Sequence, residues 1–172
     1  KEVLYFVANC LTISLDNNRR IIEKKLQQGN LDWDAIVKLS TSHLVFPALY
    51  HNLSKQNFLH YIPKDLIKYL KYISDLNKER NKQIISQANL LNELLLANNI
   101  TPIFMKGTGN LLSGLYDDIS ERMVGDIDFI VSKKDYFKTI SILKSDGYSR
   151  IGKNNYFYPL NIHYPSLKKK NN

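Results

Sequence analysis

Hydrophobic side chains recur every three or four positions through residues 1–98, a spacing typical of amphipathic helices. The first apolar run, residues 3–15, resembles the core of a signal peptide, but it lacks a small-x-small cleavage site and is better explained as a buried helix. Polar residues at 16–18 predict a helix stop or a helix cap there. A second helix is predicted at residues 19–28 and ends at Gly29. A third begins at a cap at Asp32, is broken near Pro47 and continues through Tyr50. A fourth is predicted at residues 64–98, where Pro63 precedes its start.

The longest predicted helix, over residues 64–98, contains a polar interruption. Its apolar positions run at helical spacing from Leu66 through Leu70 and Ile73 to Leu76, and they resume at Ile84. Between them, residues 77–82 are polar and mostly charged. This stretch fits a nucleic-acid patch or a solvated helix face, and a solvated face is the more common use of such a run.

The pattern changes at residue 99, where short apolar runs begin to alternate with helical spacing. That alternation predicts a fold of the α/β (α+β) class, with a helical N-terminal region at residues 1–98 and an α/β core at residues 99–172. The predicted elements of the core are a strand at 101–105, a turn at 106–109, a short helix through Leu115, a strand at 126–131, a helix at 133–145, and a hairpin that pairs 148–151 with 156–160.

Composition narrows the classes of protein that this chain can belong to. With 172 residues, 44% of them hydrophobic and 23% charged, it has the balance of a globular domain rather than of a disordered chain. No apolar run reaches the roughly 20 residues that would span a bilayer. The single cysteine, Cys10, cannot form an internal disulfide or a thiolate zinc site, and is most simply a core residue. These features are those expected of a cytoplasmic protein without a membrane partner.

The net charge of +8 comes from 24 basic and 16 acidic side chains, and +4 lies on each side of residue 100. A basic protein favours polyanionic partners such as a nucleotide or RNA. An even spread is equally typical of a soluble lysine-rich protein, so the charge alone does not identify a partner.

The first candidate for chemistry is the sequence Lys106-Gly107-Thr108-Gly109, between a predicted strand and a predicted helix. Glycines at such a place let backbone N–H groups approach an anion, and the lysine can reach a phosphate. Taken alone, a glycine-rich turn more often only connects two elements.

The second candidate is the pair Asp126 and Asp128, which flank Ile127 on the second predicted strand. Residues i and i+2 of a strand share a face, so both carboxylates are predicted to project to one side while Ile127 packs inward. Two adjacent carboxylates repel each other unless a cation or solvent lies between them, and their oxygens suit Mg²⁺. A pair at the wet end of a strand explains the aspartates equally well when they are considered alone.

Arg122 precedes Asp126 by four residues. A guanidinium fork matches the oxygens of a triphosphate. The ordinary alternative is an ion pair with Asp117, Asp118 or Glu121.

The order and spacing of these motifs resemble the DNA polymerase β-type nucleotidyltransferase superfamily, and most closely its bacterial branch of uncharacterised nucleotidyltransferase-like proteins. Upstream, Leu31-Asp32-Trp33 and His43 before Pro47 look like the helical leader of that branch, so the resemblance covers about residues 31–167. The matching motifs are Lys106-Gly107-Thr108-Gly109, then Leu115-Tyr116, then Arg122, then Asp126-Ile127-Asp128, and finally Gly147-Tyr148.

The resemblance implies transfer of a nucleoside monophosphate from an NTP to an acceptor hydroxyl, with release of pyrophosphate. It assigns Asp126 and Asp128 to catalysis as ligands of Mg²⁺, or of Mn²⁺ as the alternative. An RNA end, a small molecule and a protein hydroxyl are equally compatible acceptors. The residues that the resemblance assigns to the nucleotide are Lys106, Gly107, Thr108, Gly109 and Arg122.

Such enzymes normally use a third carboxylate from a later strand, and here the sequence departs from the pattern. The acids after the pair are Asp135 and Asp146, and neither lies in a strand-like context. One alignment places Asn161 at the acid's position. The alignment that we favour matches residues 163–167 to the His-x-Pro-Pro-Leu segment that precedes the third-acid strand, so the core is expected to be incomplete at its C-terminus. His163 is then a candidate substrate contact, although a hydrogen-bonded structural histidine is the more common role.

Three classes of function therefore stay open on the sequence. The first is an Mg²⁺-dependent nucleotidyltransferase, or the NTP-binding portion of one. The second is a catalytically inactive nucleotide-binding module that lacks the third carboxylate. The third is a basic scaffold that binds RNA or protein.

Overall fold

The computed structural model describes residues 1–151, 164 and 166–169. Helices fill the chain up to residue 96 and short strands follow, so the predicted mixed class with a helical N-terminal region is confirmed. Over the described residues, none of the helices combines the length and the apolar character that crossing a bilayer requires. The helices are α1 (Glu2–Leu11), α2 (Asp16–Gln28), α3 (Trp33–Ser42), α4 (Phe46–Lys55), α5 (Lys64–Leu96), α6 (Lys106–Leu112) and α7 (Tyr136–Ser145); the strands are β1 (Ile103–Phe104), β2 (Phe129–Ile130), β3 (Tyr148–Arg150) and β4 (Leu167–Lys169).

Local chemistry sets most of the helix ends. The Asp32 carboxylate accepts a hydrogen bond of 2.9 Å from the N–H of Ala35, which confirms the predicted cap of α3. Pro47 lies in the first turn of α4, where its missing N–H costs nothing. The stop or cap predicted at residues 16–18 falls at a helix start: α1 ends at Leu11, and Asp16 is the first residue of α2, where a carboxylate favours a helix start.

The long helix α5 runs for 33 residues, close to its predicted bounds. Leu76 was expected on its buried face, but it is 50% exposed, because the stripe passes instead through residue 77. The buried positions on α5 recur every three or four residues: Leu70, Ser74, Asn77, Asn81, Ile84, Ala88, Leu91 and Leu95.

Two compact units divide the chain. The first consists of Lys1–Asn89 together with Phe104–Asp128. Its larger core includes Cys10, which is fully buried as predicted, and burial raises the pKa of its thiol. A smaller cluster in the same unit joins Ile84, Leu111 and Val124, with Ile127 packed against it. The main core residues of the first unit are Phe6, Val7, Cys10, Ile22, Leu26, Ile36, Phe46, Leu49, Leu53 and Leu70.

The second unit consists of Leu90–Ile103 and Phe129–Asn172. In it, β3 pairs antiparallel with β4, so that Tyr148 lies opposite Lys169. Residues 156–160, predicted as the partner strand of 148–151, lie outside the described residues. The other sheet is the pair β1 and β2. The predicted domain boundary after residue 98 stays a prediction.

Candidate functional site

The sequence Lys106-Gly107-Thr108-Gly109 forms the first turn of α6, and the prediction of a connecting turn before the helix was wrong. The backbone is extended at Met105, and Lys106 then takes the left-handed conformation, with φ of 51°. This single change of direction starts the helix at once. The first turn of α6 therefore lies directly after β1.

The two glycines let α6 pack closely. A Cβ on Gly107 would lie 2.9 Å from Cγ2 of Val124, and one on Gly109 would lie 2.7 Å from the carbonyl oxygen of Phe104. Both distances are shorter than a carbon atom tolerates. Glycine at these positions thus has a packing reason, whether or not a phosphate binds nearby.

Asp126 and Asp128 precede β2 instead of lying within it, so the prediction of one strand over 126–131 was too long. Strand pairing is limited to Phe129 and Ile130, and the aspartates occupy the irregular segment that leads into them. Asp126 is exposed, and the side chain of Asp128 is 30% exposed. Ile127 packs inward against the cluster around Val124, as predicted.

The structure brings the aspartate segment against the start of α6. Lys106 Nζ lies 3.0 Å from Oδ2 of Asp128. The N–H of Met105 donates to the carbonyl oxygen of Asp128 at 2.8 Å. The buried Thr108 donates its hydroxyl hydrogen to the carbonyl oxygen of Asp126 at 2.9 Å. The residues of both predicted motifs therefore meet in one place.

Arg122 is exposed, four residues before Asp126. The acids that the sequence offered as its partners pair with lysines of other helices. Lys55 lies 2.9 Å from Asp117 and 2.8 Å from Glu121, and Lys78 lies 2.7 Å from Asp118. Among the described residues, Arg122 therefore forms no ion pair with Asp117, Asp118 or Glu121, which was the ordinary alternative for its role.

The polar stretch at residues 77–82 is not simply a solvated face. Glu79 and Lys82 are exposed and pair with each other at 2.7 Å, in keeping with that expectation. Asn77 and Asn81, however, are 4% and 0% exposed. Their signal in the sequence was spacing, because both continue the buried stripe of α5 at intervals of three and four residues.

Asn77, Arg80 and Asn81 donate hydrogen bonds to the segment that carries Arg122. Asn77 Nδ2 reaches the carbonyl oxygens of Ser120 and Arg122 at 2.7 and 3.0 Å. Asn81 Nδ2 reaches those of Ile119 and Arg122 at 2.5 and 2.7 Å. Arg80 reaches those of Val124 at 3.1 Å and Gly125 at 3.3 Å. Sequence reasoning missed these three residues.

A second polar group fixes the start of the same segment. His51 Nε2 lies 2.7 Å from Ser74 Oγ and 2.5 Å from Ser120 Oγ. Ser120 donates from Oγ and from its N–H to Asp118 Oδ1, at 2.6 and 2.9 Å. Ser120 is 1% exposed, so this serine is a structural partner rather than an accessible nucleophile.

Burial and these contacts shift two pKa values. Burial lowers the pKa of His51, and this effect exceeds the opposing influence of Asp118 and Glu121. Burial raises the pKa of Asp118, but hydrogen bonds from Lys78 and Ser120 outweigh it and hold that pKa below its ordinary range. The network thus contains a neutral imidazole and an ionised carboxylate near neutral pH.

The donor chemistry of the aspartates fits a hard divalent cation. Both offer carboxylate oxygens, and Asp128 already accepts a cationic neighbour at 3.0 Å. Within residues 1–151, 164 and 166–169, no group of three or more His, Cys, Asp or Glu side chains is placed to hold a metal. Whether Asp126 and Asp128 hold a metal ion stays a prediction.

Two predictions on the third carboxylate and the substrate contact lie outside the described residues. Asn161 and His163 are both in the range 152–163, which the structure does not describe. Leu167, the end of the favoured alignment, begins β4. The favoured alignment, with a core that is incomplete at its C-terminus, stays a prediction.

Comparisons with known proteins give one family. The model of a family described as uncharacterised nucleotidyltransferases matches residues 29–170. Comparisons with curated proteins and with solved structures gave no significant match. The family match takes in α3, α4 and α5 as well as the candidate site, and it covers well over half of the chain. The protein therefore belongs to this family of uncharacterised nucleotidyltransferases.

Proposed function

We propose that the protein is an Mg²⁺-dependent nucleotidyltransferase, or the NTP-binding portion of one. The observation that carries the proposal is the contact between Lys106 and Asp128, which joins the two motifs at 3.0 Å across 22 residues of sequence. The family match supports the same reaction class. In this reaction the acceptor hydroxyl gives up its proton to solvent and its oxygen bonds to the α-phosphorus of the NTP. The bond from that phosphorus to the oxygen that bridges it to the β-phosphate breaks, and pyrophosphate leaves.

Asp126 and Asp128 are the proposed metal ligands, with Mn²⁺ as the alternative to Mg²⁺. The ion, when bound, supplies positive charge to the phosphate oxygens. Asp126 is exposed, and its backbone is held by Thr108, so its carboxylate is directed by a fixed main chain. Asp128 is paired with a lysine that a divalent ion can displace, because an exposed ion pair is weak.

Lys106 and Arg122 are the proposed cationic contacts of the triphosphate. The Lys106 side chain is 62% exposed, so it can turn from Asp128 to a phosphate oxygen. Arg122 is exposed, on a segment whose carbonyl groups are tied to α5. The backbone at Gly107, Thr108 and Gly109 completes the proposed nucleotide contacts.

The proposal extends to the setting of the enzyme. We place the chain in the polymerase β-type superfamily and in its bacterial branch, on the motif order given above. We propose a cytoplasmic location and an NTP as the first substrate. The acceptor is a hydroxyl of RNA, of a small molecule or of a protein.

The test is a titration with ATP, GTP, CTP and UTP, with and without Mg²⁺, followed by calorimetry and thermal unfolding. At ligand near 100 times Kd, binding should stabilise the wild type by about 2.7 kcal/mol. Asp128→Ala should lose the Mg²⁺-dependent part, whereas Asp34→Ala, an exposed acid in the first turn of α3, should keep it. If no NTP binds, or if Asp128→Ala binds as well as the wild type, the proposal is wrong.

Release of pyrophosphate separates an enzyme from an inactive binding module. The wild type is incubated with the NTP that binds, with Mg²⁺, and with candidate acceptors that carry hydroxyl groups. An enzyme releases pyrophosphate and labels one acceptor from α-labelled NTP. A binding module gives the same titration but neither product.

A further inference from the structure

The segment from Asp118 to Gly125 lies along one face of α5. Five of its backbone carbonyl groups, those of residues 119, 120, 122, 124 and 125, accept hydrogen bonds from Asn77, Arg80 and Asn81. The carboxylate of Asp118 is also held from α5, by Lys78. We call these three donors, Asn77, Arg80 and Asn81, the α5 clamp.

Burial of Asn77 and Asn81 lowers the stability of the fold. Each is buried in a stripe that is otherwise mostly apolar, and in the part of the chain that the structure describes their Oδ1 atoms have no hydrogen-bond partner. A buried acceptor without a partner destabilises a fold. What offsets this cost is the other end of each amide, whose Nδ2 donates two hydrogen bonds to the carbonyl groups of the segment.

The Arg122 carbonyl is the point where the clamp converges. It accepts from Asn77 at 3.0 Å and from Asn81 at 2.7 Å, so both of its lone pairs are used. Fixing that carbonyl fixes the peptide plane after Arg122, while the side chain of Arg122 remains exposed. The clamp therefore fixes the position of the backbone from which the Arg122 side chain extends.

The same segment also connects to the other site residues. Val124 packs against Gly107 of α6, and Arg80 binds the carbonyl groups of Val124 and Gly125. Asp126 follows at once, and Thr108 holds its carbonyl oxygen. A shift of the segment would thus move Arg122 and Asp126 together.

We propose that Asn77, Arg80 and Asn81 are positioning residues for the triphosphate, acting through the backbone at Arg122 and Asp126. This inference rests on the proposed function, because it assumes that Arg122 contacts an NTP. The clamp orders the segment before the nucleotide arrives, so binding does not have to pay the entropy of ordering it.

The first experiment measures the free protein. Hydrogen exchange at the amides of residues 119–126 should be faster in Asn77→Ala and in Arg80→Ala than in the wild type. Arg80 is on the exposed side of α5, so Arg80→Ala keeps the buried stripe intact. Gln83→Ala, an exposed change on the same helix, should leave exchange in this segment as it is in the wild type.

The second experiment is a double-mutant cycle on binding of Mg²⁺ with the NTP that binds the wild type. Asn77→Ala, Arg80→Ala and Arg122→Ala should each weaken binding by about tenfold, or about 1.4 kcal/mol, whereas Gln83→Ala should not. Arg122→Ala combined with a clamp variant should lose less binding free energy than the two single losses add up to, because the part that acts through Arg122 is already lost. Every variant is compared under conditions where it is fully folded. A clamp that only stabilises the fold would then leave binding unchanged and would show no non-additivity with Arg122→Ala.

The outcomes separate the two proposals. Wild-type binding that the folded clamp variants leave unchanged would overturn the positioning role while the proposed function stands. Fully additive losses would also overturn it, since the clamp would then not act through Arg122. A wild type that binds no NTP would remove the proposed function and the positioning role with it.

Discussion

Gly107 and Gly109 face two different kinds of neighbour. The neighbour of Gly107 is a side chain, that of Val124, whose methyl groups can give way without a movement of a strand. The neighbour of Gly109 is a backbone carbonyl at Phe104, which belongs to β1 and cannot move alone. The two glycines therefore differ in how much a methyl group should cost.

We expect Gly109→Ala to lower the free energy of unfolding by about 1–3 kcal/mol, since the new Cβ meets backbone at 2.7 Å. This loss exceeds the gain in helix propensity, which is about 1 kcal/mol in a helix interior. Gly107→Ala should cost less than Gly109→Ala. Denaturant unfolding of the variants gives the comparison.

Gly125→Ala is the matched control for these glycines. Among the residues that the structure describes, and apart from its two chain neighbours, no heavy atom lies within 4 Å of its ideal Cβ, so the unfolding free energy should change by about 0.5 kcal/mol or less. If Gly109→Ala were as stable as Gly125→Ala, close packing would not be the reason for glycine at residue 109.

At the scale of elements, α5 shows what a sequence pattern can and cannot give. The 3–4 spacing predicted its bounds to within about two residues, and the same spacing contained Asn77 and Asn81. Their partners are carbonyl groups about 40 residues away, and such pairings leave no periodic signal. Strands of two residues, such as β2, are likewise too short to mark their own ends, which is why Asp126 and Asp128 were assigned to the strand.

The network that joins α4, α5 and the segment after Asp117 should respond to pH through His51. Burial lowers the pKa of His51, so its folded value lies below the unfolded value of about 6.5. The stability that depends on a neutral imidazole is complete above that unfolded value, and is lost as the pH falls through the folded pKa. Asp118 and Glu121 oppose the shift, whereas Lys55 and Lys78 reinforce it.

We expect the unfolding free energy of the wild type to decrease between about pH 7 and pH 5, and His51→Gln to reduce that decrease. Gln83→Ala, an exposed change that removes no titratable group, is the control and should keep the wild-type slope. Denaturant titrations at a series of pH values measure how the unfolding free energy changes with pH. Equal slopes for His51→Gln and the wild type would contradict the assignment.

At the scale of the whole molecule, the family match and the contacts agree on one point. The match begins at residue 29, well before the strands, and the helical part supplies the donors that hold the Arg122 segment. Residues 104–128 also belong to the same compact unit as residues 1–89. The helical region is therefore part of what builds the candidate site, and the residues of α5 deserve the same mutational scrutiny as the motifs.

The net charge of +8 sets the remaining expectation, which concerns RNA. Several lysines of the described residues are already paired with acids, among them Lys55, Lys78, Lys106 and Lys169. The positive electrostatic potential of the surface should therefore be diffuse, and we expect only weak binding of single-stranded RNA. Because such binding releases counterions, its affinity should fall steeply, by about 300-fold for six phosphate contacts, between about 50 and 200 mM salt.

NTP binding at the aspartates should depend less on salt than RNA binding does, since it relies on a few groups at fixed positions and on a divalent ion. Fluorescence anisotropy with a labelled RNA, and calorimetry with the NTP, can be run on the wild type and on Asp128→Ala over the same salt range. We expect Asp128→Ala to lose the Mg²⁺-dependent part of NTP binding while RNA binding is kept or slightly strengthened, because a negative charge is removed. Tight RNA binding that persists at high salt, with no NTP binding, would instead support the basic scaffold, and the even distribution of charge would not have revealed its binding surface.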